Sequence, residues 1–137
     1  MFLPTIHFPY TCDEAISYYK DVLGAEVKDI AYFKDAPKDS GMEEGELPPN
    51  FVMHSVVSIH GSLISMTDGV ETKPNGDNFT FFITEDTAEE VTALYNKLLE
   101  NGKEIEPLGP VFWASMYGIV EDPFGIHWQV MTSDGLQ

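Results

Sequence analysis

Phe112-Trp113-Ala114-Ser115-Met116-Tyr117-Gly118-Ile119-Val120-Glu121-Asp122-Pro123-Phe124-Gly125-Ile126-His127-Trp128-Gln129 reads as two strands folded about Asp-Pro-Phe-Gly. Proline presets one turn dihedral and glycine permits a positive one, so this tetrapeptide reverses the chain. Past the turn the residues alternate: Ile126, Trp128 and Val130 point one way, and His127, Gln129 and Met131 the other. An antiparallel pair with one apolar and one polar-bearing face suits the wall of a ligand cavity. Trp128 then belongs to a sheet–helix core and Gln129 to the cavity.

Upstream, the chain repeats itself at an offset of 76 residues: Thr11 to Leu23 lies over Thr87 to Leu99. Both copies open with Thr-x-x-Glu (Thr11/Glu14, Thr87/Glu90), the spacing of a capping box. An apolar stripe follows in each, formed by Ala15, Ile16, Tyr19, Val22 and Leu23, then by Val91, Leu94, Tyr95, Leu98 and Leu99. Gly24 and Gly102 are expected to stop the helices. Strands are expected before them (Thr5 to Phe8; Phe79 to Thr84) and after them (Glu26 to Phe33, Val52 to Ile59, Leu63 to Thr67; Glu104 to Leu108, Tyr117 to Glu121, Ile126 to Thr132). Each half is therefore strand, helix and three strands. His60-Gly61 reads as a hairpin turn. The acidic loop Lys34 to Asn50, with Pro37, Pro48 and Pro49, could cover a cavity mouth, and Pro74-Asn75-Gly76 signals a turn in the linker. We expect one domain, 1–137, of two modules, about 1–68 and about 78–137.

Composition narrows the function. The chain carries 23 acidic residues against 7 basic ones, a net charge of −16, and all seven bases are lysines. A nucleic-acid partner needs a basic footprint, and an anionic membrane surface is disfavoured for the same reason. Without arginine there is no planar fork for phosphate, so a phosphonate is an unfavourable guest. A single cysteine, Cys12, excludes an internal disulfide and fits a reducing compartment, with the cytoplasm as the expected location. No apolar run approaches a membrane span, and no signal peptide is expected at the start.

The doubled unit, with Asp-Pro-Phe-Gly before the last strand, resembles the vicinal oxygen chelate superfamily of glyoxalases, bleomycin- and fosfomycin-resistance proteins and extradiol dioxygenases. Ala15-Ile16-Ser17-Tyr18-Tyr19, Leu23-Gly24-Ala25-Glu26, Met53-His54, Ser65-Met66-Thr67-Asp68 and Phe112 through Trp128 are most similar to its PhnB-like branch. The resemblance implies an α+β fold in which two βαβββ modules form curved mixed sheets around a cavity. Half-barrels leave edges and apolar rims to cover, so a homodimer is expected. Some relatives in this branch carry a methyltransferase description, but no glycine-rich loop follows a strand here to hold a nucleotide-type cofactor.

Metal-using members place His or Gln, Glu, His and Glu on the first and last strands of each half, leaving coordination positions for substrate oxygens. Carried over, those positions fall near Pro4 or Thr5, at Ser65, near Asn78 and at Gln129, a set too weak for a dication. No cofactor is expected. His54, His127 and Asp68 are an alternative two-histidine, one-carboxylate set.

Among single residues, His54 is the leading catalytic candidate, because an imidazole beside a cavity serves as acid or base near neutral pH. A structural, hydrogen-bonded histidine is the competing reading. Trp113 and Tyr117 are placed to stack on a ligand, Ser65, Asn78 and Gln129 to hydrogen-bond it, and Phe8 and Phe82 to line the apolar wall, with His127 nearby. On this reading Ile6 and Phe8 face the cavity and His7 is off that register. Cys12, in a helix's first turn, has a dipole-lowered thiol but no base partner. The expected function is binding of a small apolar or aromatic molecule. The alternative is a metal-dependent or histidine-based lyase, dioxygenase or resistance-type enzyme.

Overall fold

In each half, the apolar stripe of one helix packs on inward-facing residues of three of the four strands. The computed structural model describes residues 1–37, 47–73 and 78–136. The chain divides into two compact units, Met1–Lys73 and Pro74–Gln137. The first holds β1 (Thr5–Phe8), α1 (Cys12–Leu23), β2 (Glu26–Tyr32), β3 (Val52–Ile59) and β4 (Ser62–Asp68). The second holds β5 (Phe81–Glu85), α2 (Ala88–Leu99), β6 (Lys103–Val111), β7 (Ala114–Glu121) and β8 (His127–Thr132). The Pro74-Asn75-Gly76 turn and the centre of the Lys34 to Asn50 loop lie outside the described residues.

Both sheets have the same plan. Strand order is β1-β4-β3-β2 in the first and β5-β8-β7-β6 in the second. The pairs β1/β4 and β5/β8 are parallel and the rest antiparallel. The protein is thus α+β, two βαβββ modules with mixed sheets. His60 (φ 49°) and Gly61 (φ 81°) both take positive φ between β3 and β4, the requirement of a two-residue type I′ hairpin.

The helices are held differently at their starts. Thr87 accepts the Glu90 N–H at 3.1 Å and caps α2 as its sequence predicts. Thr11 makes no side-chain cap; the Cys12 N–H instead donates to Asp68 Oδ1, 2.9 Å away and 56 residues later. Asp68 Oδ2 accepts the Val52 N–H at 2.9 Å, so this buried carboxylate ties α1 to β3 and β4. Gly24 (φ 65°) ends α1 in the left-handed conformation. After α2 it is Asn101 (φ 60°), not Gly102, that turns the chain. Gly102 is needed for space, because a Cβ there would lie 2.4 Å from the Glu121 carbonyl oxygen.

In the first unit Ala15, Ile16, Tyr19 and Leu23 are buried with Ile6, Phe8, Val57, Ile59, Ile64 and Met66. In the second, Val91, Leu94, Tyr95 and Leu98 are buried with Ile83, Val120, Trp128 and Val130. Gly118 lets the Tyr95 ring approach; a Cβ there would stand 2.7 Å from it. Burying each large apolar side chain stabilises the fold by about 1.5–3 kcal/mol. Among the described residues, no helix is long and apolar enough to cross a membrane.

Candidate functional site

The far side of the second sheet, away from α2, is organised by the turn before β8. Asp122 is buried, and its Oδ1 accepts the Phe124 N–H (2.8 Å) and the Ile126 N–H (3.1 Å). Its Oδ2 accepts the Trp128 indole N–H at 2.8 Å. Gly125, at φ 84°, completes the reversal. One carboxylate thereby fixes the turn and seats Trp128 in the α2 core, which sends its neighbours His127 and Gln129 to the far side.

There, pairing register decides what meets what. Gln129 lies between Ile119 on β7 and Phe82 on β5, and its amide nitrogen donates to Thr80 Oγ1 at 3.4 Å. Phe82 is 44% exposed. His127 lies opposite Glu121, with Nε2 2.9 Å from Oε1 and the histidine side chain 11% exposed. Along β7, Tyr117 packs edge-on against Trp113 with ring centroids 5.2 Å apart, and Trp113 against Phe112 at 4.9 Å. Trp113 and Phe112 are both exposed. Desolvation, and then the charge of Glu106, raise the Tyr117 pKa.

Asn78 is not on a strand. It is exposed in a turn before β5, and the strand position beside Gln129 belongs to Phe82. An aromatic ring therefore stands where the sequence reading put a hydrogen-bonding amide.

On the first sheet, Thr5 pairs with Ser65, and Ser65 with Val56, on the side away from α1. Ser65 is buried, and its N–H donates to the Pro4 carbonyl at 2.9 Å. His7 shares that side and lies 2.8 Å from Thr67 Oγ1 through Nδ1. The facing expected for the first strand is thus reversed. Phe8 is 1% exposed and packs against Tyr19, with ring centroids 6.5 Å apart, so it belongs to the α1 core rather than to a cavity wall. The cause is a connection of unequal length. Pro9, Tyr10 and Thr11 separate β1 from α1, whereas only Asp86 and Thr87 separate β5 from α2. Tyr10, at φ 63°, takes up the extra residue, and one residue inverts a strand's facing relative to its helix.

His54 is on the far side of the first sheet, its side chain 53% exposed and Nε2 3.5 Å from Asp29 Oδ2. Of the His54, His127 and Asp68 set, His54 and Asp68 lie on opposite sides of the first sheet. Asp68 pairs with Phe8 on the α1 side, and both its oxygens hold backbone N–H groups. Among the described residues, no three His, Cys, Asp or Glu side chains gather as a metal site. The thiol of Cys12 is raised, not lowered: burial acts first and Asp68 second.

The sequence reading missed Glu121, Thr80 and Ile119. Folding the chain about Asp-Pro-Phe-Gly brings Glu121 to His127, so that pairing was readable; Thr80 needed the β5/β8 register.

The comparisons with known proteins follow the same architecture. Residues 10–130 match the Glyoxalase/Bleomycin resistance protein/Dioxygenase superfamily. The chain belongs to this superfamily. It is 32% identical to Protein YjdN of Escherichia coli (strain K12), over 93% of this chain and 91% of that one. Its fold is similar to that of the PhnB protein from Bacillus cereus (TM-score 0.81, 20% identity, 96% and 98% of the two chains). It is also similar to protein PA1353 from Pseudomonas aeruginosa (TM-score 0.79, 27% identity, 96% of each chain). A fosfomycin resistance protein, FosX from Listeria monocytogenes, shares the fold at a TM-score of 0.66 and 12% identity, over 97% and 92% of the chains.

Proposed function

We propose that this superfamily member binds a small apolar or aromatic molecule, does so without the divalent cation many of its relatives use, and works as a homodimer. One observation carries the reading: Gln129 stands beside Phe82, so a neutral amide and an aromatic ring fill the neighbouring far-side positions of β8 and β5. The matching pair of the first sheet is Thr5 and Ser65. Neither pair, two hydroxyls on the first sheet or an amide beside a phenyl ring on the second, offers the anionic oxygen or imidazole donors that a dication needs. They do fit a guest held by apolar contact and a few neutral hydrogen bonds. The exposed Phe112 and Trp113 support a surface that is covered in the dimer or by the guest. A net charge of −16 argues against nucleic acid and anionic membranes as partners.

The enzymatic alternative has weaker support. His54, its leading residue, is half-exposed to solvent, and its Nε2 lies 3.5 Å from the exposed Asp29 carboxylate.

Thermal unfolding tests the proposal. Indole or naphthalene at about one hundred times its Kd stabilises a binding protein by about 2.7 kcal/mol, read as a rise in Tm. Zinc, nickel and manganese added after chelation are expected to leave Tm unchanged. Protein purified without chelator that carries about one equivalent of a divalent metal, lost in Gln129→Ala, would overturn the reading.

A further inference from the structure

Resting on that binding reading, we propose that His127 accepts a hydrogen bond from the hydroxyl of a neutral phenol-type ligand, with Glu121 as its positioning residue. The two side chains face each other across β7 and β8 on the far side of the second sheet, 2.9 Å apart. A carboxylate only accepts, so Nε2 carries the proton in this pair, and Nδ1 of the neutral ring is left with an acceptor lone pair. Among the described residues, no hydrogen bond reaches Nδ1. With its side chain only 11% exposed, the ring has little access to bulk water. An acceptor so placed gains from a ligand donor more than a solvated one does.

The surroundings select the rest of the ligand. Two residues along β8 from His127, Gln129 is flanked by Ile119 and by the exposed Phe82, which offer an apolar floor to the rest of the ligand. Charge selects against an anion. Glu121 ends β7 and Glu106 on β6 pairs with Ile119 of this floor, Lys103 on β6 is the cation paired in register with Glu121, and the chain has no arginine. A carboxylate or phosphonate guest would meet these glutamates without a cationic fork, whereas a neutral hydroxyl brings a donor and no negative charge.

The probes are phenol and anisole, which share a ring and differ in the donor, with the full chain at about pH 8, where phenol is neutral. Calorimetry is expected to show phenol bound about tenfold tighter than anisole, the worth of one sheltered hydrogen bond. His127→Phe should erase that preference, bringing the ratio of phenol to anisole affinity to about one. Glu121→Ala should shrink it, and Glu121→Gln, which keeps an acceptor, should restore most of it. Nitrogen-15 spectra separate positioning from mere stability. They should show His127 in one tautomer in the native chain and in a mixture in Glu121→Ala, with Nδ1 shifting on phenol and not on anisole. The spectra of the native chain need no variant to fold. Equal affinities for the two probes, or a preference that survives His127→Phe, would overturn the proposal while leaving the binding reading in place. Failure of both probes to bind would take both down.

Discussion

Replacing Asp122 with alanine is the most exacting perturbation of this architecture. The carboxylate is 2% exposed and accepts two backbone N–H groups and one indole N–H, at 2.8 to 3.1 Å. Hydrogen bonds to a charged group are worth about 1.5–3 kcal/mol each. The Phe124 and Ile126 N–H groups lie in the turn and can recover part of that from water. The Trp128 indole N–H cannot, because its residue is 2% exposed, and a buried orphan donor costs about 1–3 kcal/mol. The three together give about 3–5 kcal/mol, a large share of a small protein's total stability. Asp122→Asn should cost about 2 kcal/mol. Its amide keeps an acceptor for the turn but presents either a donor or a misplaced oxygen to the indole. Urea titration followed by far-ultraviolet circular dichroism measures both, provided the slopes match the parent's. A loss below about 1 kcal/mol for Asp122→Ala would refute the claim that this carboxylate organises the far side of the second sheet.

Three further outcomes follow from particular contacts. Thr87→Ala should cost about 1 kcal/mol by removing the α2 cap, while Thr11→Ala should change urea stability by less than about 0.5 kcal/mol, since Asp68 serves α1 in its place. The Cys12 thiol, fully buried and raised by burial and by Asp68, should resist a thiol-specific chromogen at about pH 8 until denaturant is added; prompt native-state labelling would contradict its placement. Tyr95 is raised from 10.0 to about 12 by burial and its bond to Glu104, so its folded form keeps the proton that the unfolded form releases first. Its contribution is complete below pH 10 and is lost as pH climbs toward about 12; Tyr95→Phe should flatten that alkaline fall in stability.

By itself the sequence determined whatever depends on local periodicity and local turn chemistry. The two helices, the reversal at Asp122 to Gly125, the hairpin at His60-Gly61 and the opposite facing of Trp128 and Gln129 all follow from spacing within a few residues. Composition, too, argues against nucleic acid and anionic membrane surfaces as partners. Tertiary structure decided the rest, because alternation says which residues share a side of a strand but not which side meets the helix. One extra residue before α1 put Phe8 in the core and His7 on the far side. Register between β5 and β8, separated by more than forty residues, placed Phe82 rather than Asn78 beside Gln129. The α1 cap came from Asp68, which no capping pattern near Thr11 announces, since the N–H groups at a helix start take any acceptor the fold delivers to them.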